Sequence, residues 1–248
     1  MESLLGEGQS TLFVVPARGG SKGLPGKNKR NLHGKPLTWW TLSFCTKLGA
    51  GPCVLSSDDD EILDLAGQFE SCLPLRRPSE LATDKSDDQG VLSHALAETE
   101  LALGQPFDRV VMLQPTSPGR RIDEVKAALR THASMKVPLN SSVWAAHRVP
   151  DKYHHLKQIA VAGEMTSISR PTKLPPRRQD LSPSFVRAGD FYVIGRDALA
   201  DPYLMGNEMA IMEISGGLVN IDTLDDFMAA EMTLHPRGGL LERRGEAR

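Results

Sequence analysis

An unbroken apolar run, Thr11–Pro16 (TLFVVP), opens directly into Pro16–Arg30 (PARGGSKGLPGKNKR), a stretch with four glycines and five cations. A strand that is apolar throughout has to be covered on both faces, which is the situation of an interior strand in a parallel sheet. That single requirement restricts the chain to a layered α/β arrangement, and the remainder of the sequence supplies the layers. Leu37–Leu48 has apolar residues at helical spacing, Val54–Ser56 is a second short strand, and Ile62–Phe69 reads as a helix opened by the acids Asp58 to Asp60. Val91–Leu103 reads as a helix, Val110–Leu113 as a buried strand, Gln114–Arg120 as a loop, and Ile122 begins another helix. Phe191–Ile194 is again a strand, and Leu218–Ile221 leads into a helix at Thr223–Met232. The expected fold class is α/β, a mostly parallel central sheet flanked by helices, with ligands at the carboxyl ends of the strands.

The expected organisation is an extension over residues 1–10, a main domain over 11–235, and a frayed tail over 236–248. His147–Ser184 breaks the alternation: it is rich in Pro, Arg, Lys and His without sustained period, and is read as an extended arm or small interface subdomain. A formal net charge of −2 offers no global field for nucleic acid, and aromatics at 5% offer few stacking platforms, so neither composition nor charge favours a nucleic-acid partner. No stretch reaches the length of a membrane span, and Met1–Ser10 lacks a basic flank leading into an apolar run. Cys45, Cys53 and Cys72 form no CxxC pair and have no His partner at metal-ligand spacing, so they read as reduced thiols of a cytoplasmic protein.

The chemistry concentrates in the glycine-bearing loop. Glycines let backbone N–H groups converge on an anion while Arg18, Lys22 and Lys27 neutralise it from the sides. At an effective dielectric near 20, one cation about 4 Å from one phosphate charge contributes roughly 4 kcal/mol before desolvation, so a triphosphate calls for several. Gly26-Lys27 does not complete a Walker A loop, because Ser21 stands where its first glycine belongs and Asn28 follows the lysine; no GxGxxG can be drawn either. Elsewhere the local sequence leaves choices open. Gln114–Pro118 is a set of turn residues that also suits a ligand loop, Asp58 to Asp60 suit a helix dipole better than chemistry, and Asp222 suits equally a helix cap or a metal ligand. His154 and His155 have no acid-and-nucleophile pattern beside them and read as surface or interface residues.

Taken together and in order, the loop, Ser56–Ile62 (SSDDDEI), Arg77–Asp84 (RPSELATD), Gln114–Pro118 (QPTSP), Arg177–Leu181 (RRQDL), Gly189–Tyr192 and Ile221–Thr223 resemble the acylneuraminate cytidylyltransferases, which activate sialic acids. The resemblance covers most of the chain and implies a three-layer, Rossmann-like nucleotidyltransferase domain over 11–235 that transfers CMP from CTP to an acidic nine-carbon sugar, sialic, pseudaminic or legionaminic in type. It implies that Arg18, Gly19, Gly20, Ser21, Lys22 and Lys27 hold the triphosphate, with Arg18 and Lys27 acting on the charge that develops there. Asn28, Arg77 and Asp88 then fall at nucleoside positions, Gln114, Thr116, Ser117 and Tyr192 beside the sugar, and Asp222 with Asn220 at a Mg²⁺ position. The 147–184 arm matches a dimerisation segment from which Arg177 and Arg178 reach a neighbouring subunit's sugar carboxylate, so a homodimer is expected.

Three departures shape the expectation. Where the family has two aspartates flanking one residue before the last helix, this chain has Asn220 and Asp222, one hard ligand exchanged for a neutral carbonyl. Asp87 and Asp88 stand where small hydroxyl residues are usual. Ala188–Tyr192 (AGDFY) lacks an Asn-Gly pair and is similar to the AGxFY of pseudaminate-activating members. The alternatives are a cytidylyltransferase for a shorter acid such as 3-deoxy-manno-octulosonate, and a nucleotide-sugar binding protein with impaired catalysis.

Overall fold

The computed structural model describes residues 9–150, 183–215, 220–237 and 240–244. The expected first strand is β1 (Thr11–Pro16), and it sits in the middle of a seven-stranded sheet. Its side chains alternate between two cores: Phe13 and Val15 enter one, Leu12 and Val14 the other. Each face therefore needs its own cover. Helices α1 (Leu37–Leu48) and α4 (Ile122–Ala133) contribute Leu42, Phe44, Val125 and Leu129 to the first core, while α3 (Asp88–Leu103) contributes Leu92 and Leu96 to the second. The result is the expected three layers.

From one edge the sheet runs β5 (Cys72–Arg76), β4 (Cys53–Ser57), β1, β6 (Arg109–Met112), β8 (Phe185–Gly195), β7 (Ser141–Arg148), β9 (Glu208–Glu213). All pairings are parallel except the two made by β8, which is antiparallel to both of its neighbours. After β1 the chain builds outward through β4 and β5 and then crosses to β6, so order reverses between β1 and β6, where a crevice forms beyond the strand ends. Because β8 runs backwards, its first residues, not its last, lie at that same rim, with Tyr192 opposite Met112.

A third apolar cluster stands apart from the sheet. It joins Leu24 of the basic loop, the short β2 (Asn31–Leu32) and β3 (Lys35–Pro36) pair, Trp40, helix α5 (Leu224–Thr233) and a terminal hairpin of β10 (Leu234–Arg237) with β11 (Leu240–Arg243). The hairpin replaces the frayed tail expected after Pro236, because Leu234 and Leu241 are buried in this cluster and β11 pairs with β10 residue for residue. The helix expected over Ile62–Phe69 is also reshaped. α2 covers only Asp60–Leu63 and tightens into a 3₁₀ segment over Asp64–Gln68, around Gly67, a poor helix former. No helix among the described residues is long and apolar enough to cross a membrane. Most of the arm expected over 147–184 lies outside the described residues; its ends are held by Arg148 paired with Phe185 and by the Val149 N–H donating to the Ser184 carbonyl at 2.8 Å.

Candidate functional site

At the crevice between β1 and β6 the chain encloses a cavity of about 370 Å³, within the usual range for small-molecule sites. The loop after β1 supplies Arg18, Gly20, Ser21, Lys27 and Asn28; Arg77 follows β5 and Asp88 opens α3. Gln114 and Thr116 come from the loop after β6, and Asn220 and Asp222 from the segment before α5. These residues, read as a site from positions as far apart as Arg18 and Asp222, converge on one space. Four others do not line it. Gly19 and the exposed Lys22 belong to the loop without lining the cavity, Lys22 reaching its edge through the lining carboxylate of Asp84, Ser117 is fully buried, and Tyr192 is buried on the second core with its hydroxyl donating to the Ala188 carbonyl at 2.7 Å and its ring edge-on to Trp144. Burial pushes that phenol up to about 12. Arg177 and Arg178 lie outside the described residues. A second cavity, about 540 Å³, adjoins the first along Ser86 and Asp88 and is lined by Trp144, Arg187 and Tyr203.

The loop is held by specific bonds rather than left to its glycines. Asn28, buried in a 3₁₀ turn over Lys27–Lys29, donates from Nδ2 to the Arg18 carbonyl at 2.8 Å, folding the loop back on itself. The Gly19 N–H donates to Asp58 Oδ1 at 2.9 Å. Of the three acids expected to serve the helix start, Asp59 is the cap, accepting from the Ile62 N–H at 3.2 Å, whereas Asp58 ties the loop to β4. Gly23 passes so close to the Asp222 carbonyl that a methyl group there would stand 2.6 Å from the oxygen, so only glycine lets the loop reach this segment.

Arg18, Lys22 and Lys27 of the loop are each matched by a carboxylate. Lys27 Nζ lies 2.8 Å from Asp222 Oδ1, and Arg18 and Lys22 each lie 2.8 Å from one oxygen of Asp84. Lys22 and then Arg18 hold the Asp84 carboxyl below its usual range. Arg77 is buried against the end of β4, donating from Nε to Ser56 Oγ at 3.1 Å and from Nη2 to the Ser56 carbonyl at 2.8 Å; burial lowers its guanidinium. Burial raises the Asp88 carboxyl, against the pull of Arg187 and Arg77.

Of the two uses left open for Asp222, the capping one is taken by its neighbours. The cap of α5 is Thr223, in a reciprocal capping box with Asp226, so the helix does not use Asp222. Its carboxylate faces the cavity with Lys27 on one oxygen and Asn220 Nδ2 at 3.0 Å from the other. Buried polar atoms next to it await partners: among the described residues, Asn220 Oδ1, Asn28 Oδ1 and Ser117 Oγ make no hydrogen bond. One carboxylate with a neighbouring amide carbonyl, both oxygen donors, fits a hard divalent cation that takes its other ligands from phosphate and water. Among the described residues, no group of three or more His, Cys, Asp or Glu is placed to hold a metal ion by itself. The thiols Cys45, Cys53 and Cys72 are free and buried in the core, away from this site.

Sequence reasoning missed Asp84 and Arg120. Asp84 closed a quoted motif without a role. Arg120 left a local trace: two arginines directly before α4 oppose its dipole, so one of them had to be directed elsewhere, and Arg120 is buried against Gln114 and Asp190.

Comparison with known proteins follows the same geometry. The chain is 39% identical over 130 residues to CMP-N,N'-diacetyllegionaminic acid synthase of Legionella pneumophila, covering 49% of this chain and 52% of that protein. It is 27% identical over 222 residues to N-acylneuraminate cytidylyltransferase of Streptococcus agalactiae, covering 88% of this chain and 51% of that protein. The chain thus spans about half the length of these two relatives. Pseudaminic acid cytidylyltransferase of Campylobacter jejuni is 28% identical over 226 residues, covering 89% of this chain and 94% of the relative. Among solved structures, CMP:2-keto-3-deoxy-manno-octonic acid synthetase complexed with CTP superposes with a TM-score of 0.63 at 17% identity, over 90% of this chain and 97% of that one. A 4-diphosphocytidyl-2C-methyl-D-erythritol synthase from Anaerococcus prevotii gives 0.61 at 11% identity, over 94% and 98%. These two likenesses speak for the fold. A family model described as cytidylyltransferase matches residues 12–173, from β1 across both rims of the crevice, and the chain belongs to that family.

Proposed function

We propose that the protein transfers CMP from CTP to the anomeric hydroxyl of an acidic nine-carbon sugar and releases pyrophosphate. The observation that carries this reading is the set of loop cations, Arg18, Lys22 and Lys27, each standing 2.8 Å from a carboxylate oxygen at the rim of β1, where phosphate oxygens replace those carboxylates. In the proposed reaction the sugar hydroxyl attacks the α-phosphorus in line, the bond to the bridging oxygen breaks, and Arg18 and Lys27 stabilise charge passing to the leaving pyrophosphate. Asn28 and Arg77 hold the nucleoside side, and Gln114 and Thr116 face the sugar, with the second cavity beyond Asp88 taking its substituents. Mg²⁺, held by Asp222 and the Asn220 carbonyl, supplies Lewis-acid stabilisation of phosphate charge when bound.

The nine-carbon class is supported by the three sugars named in the relatives, legionaminic, acylneuraminic and pseudaminic acid, and the AGDFY segment favours a pseudaminate-like acceptor. The 3-deoxy-manno-octulosonate alternative rests on a fold likeness at 17% identity and ranks behind. We place the enzyme in the cytoplasm as a homodimer whose 147–184 arm brings Arg177 and Arg178 to the partner's sugar carboxylate; three buried free thiols suit a reducing compartment. The test is pyrophosphate release with CTP, ATP, GTP and UTP against a panel of eight- and nine-carbon ulosonic acids. Release with CTP and a nine-carbon acid is expected; tight CTP binding without turnover on any acid overturns the activity.

A further inference from the structure

Arg120 is the side chain on which the acceptor side of the cavity is hung. It is 4% exposed, and its nitrogens bond to three different pieces of chain. Nη2 donates to the Gln114 carbonyl at 2.5 Å, Nε to the Asp190 carbonyl at 2.8 Å, and Nη1 to Thr41 Oγ1 at 3.2 Å, while the guanidinium lies over the Phe44 ring at 5.4 Å. Burial lowers its pKa only to about 10, so it stays cationic at neutral pH, with the buried Asp190 as counter-charge.

The two carbonyls matter because of what they carry. Gln114 opens the loop after β6, and that loop reaches the metal-side segment through the Ile221 N–H, which donates to the Thr116 carbonyl at 2.8 Å. Asp190 follows Gly189, and Gly189 is the floor on which three side chains rest. A methyl group there would stand 2.9 Å from Gln114 Oε1, 3.2 Å from Asn220 Oδ1 and 3.3 Å from Ser117 Oγ. By holding both carbonyls, Arg120 fixes the separation between Gln114 and the floor beneath it. Among the described residues, the bonds of Arg120 run to Gln114, Asp190 and Thr41 and to none of Arg18, Lys27 or Asn28, which line the other half of the cavity.

We propose that Arg120 is a positioning residue that sets the acceptor half of the site, through Gln114 and Gly189, independently of the nucleotide half. The inference rests on the cytidylyltransfer reading for which half receives the sugar. The test compares wild type with Arg120→Met and Arg120→Lys in three measurements: CTP affinity by calorimetry, steady-state constants for the acid sugar, and the ¹⁵N side-chain amide resonance of Gln114 in the ligand-free protein, assigned with Gln114→Glu. In Arg120→Met, kcat/KM for the sugar is expected to fall about 10²-fold, the scale of a misplaced reacting group. CTP affinity should stay within about twofold, and the Gln114 resonance should move. Arg120→Lys, which keeps the charge but reaches fewer carbonyls, should recover part of the loss. CTP affinity falling in step with the sugar constants, or a folded Met variant with unchanged constants, overturns the proposal; if the Met variant does not fold, the Lys variant carries the same comparison. Should wild type turn over no acid sugar, the cytidylyltransfer reading fails, and an unmoved Gln114 resonance in either variant still overturns Arg120 as the positioning group.

Discussion

Lys27 and Asp222 are separated by 195 positions and joined at 2.8 Å, with the lysine largely buried and the aspartate mostly exposed. That asymmetry shows which partner is fixed: the loop presents Lys27 to the cavity, and Asp222 comes to it. Truncating Lys27 or Arg18 to alanine is expected to lower turnover by roughly 10²-fold, the effect of removing one preorganised charge-stabilising group. Pyrophosphate release at saturating CTP measures it, and near-wild-type rates in both variants would separate the loop from the chemistry. The loop's cations were legible because glycines and lysines after a buried strand leave few other uses for them. Their ion pairs were not, because a long-range pair leaves no mark at either end: Asp84 looks locally like a turn residue, and Asp222 suits equally a helix cap or a metal ligand, neither of which points to a lysine. Arg120 was half legible, as a cation in the wrong place on a helix dipole with its true partners, two main-chain carbonyls, invisible in any sequence.

Buried elements were read most often, but burial alone did not make an element legible. β1, α1 and β6 match the expected segments closely because apolar residues fill most of their buried positions, and α1 ends on Gly49 in the left-handed conformation, a common helix stop. The two sheet edges, β5 and β9, were not read, and neither was the interior strand β7, although seven of its eight residues are buried. β5 carries Pro74, tolerated at an edge where one side of the strand has no neighbour to receive an N–H, and β9 alternates half-buried and exposed residues. The terminal hairpin was read as a tail because the buried residues among its described side chains are Leu234, Leu241 and a charged Arg243, too few apolar positions to raise a periodic signal over Pro, Arg and Gly. Its role is testable: Leu241→Ala should cost about 2–3 kcal/mol in urea unfolding, as for a core leucine. A change within about 0.5 kcal/mol would mark the hairpin as an exposed appendage.

Across the whole molecule, the sheet is pinned to its helices by polar groups that exclude water as well as by apolar contact. His132 on α4 is fully buried, with Nε2 3.3 Å from the Ser141 carbonyl, and burial together with nearby Arg109 lowers its pKa to about 4. The unfolded chain takes up a proton near pH 6.5 and the folded chain does not until about pH 4, so the unfolded state binds more protons between these values. Stability is therefore full above about pH 6.5 and falls as pH drops toward 4, by on the order of 3 kcal/mol from this group. Urea midpoints at pH 7.5, 5.5 and 4.5 should decline more steeply in wild type than in His132→Gln; parallel declines would discharge His132 from the effect.

The reversed strand has a different kind of outcome. Since β7 ends and β8 begins at the same rim, pinned to each other at Arg148 and Phe185, everything spliced between them leaves and re-enters the body at adjacent points beside the cavity mouth. Such an insert can be lengthened, shortened or exchanged at the modest entropic cost of a longer loop, with the register of the sheet untouched. A lineage built on this plan can vary that segment freely while inheriting an unaltered sheet and loop.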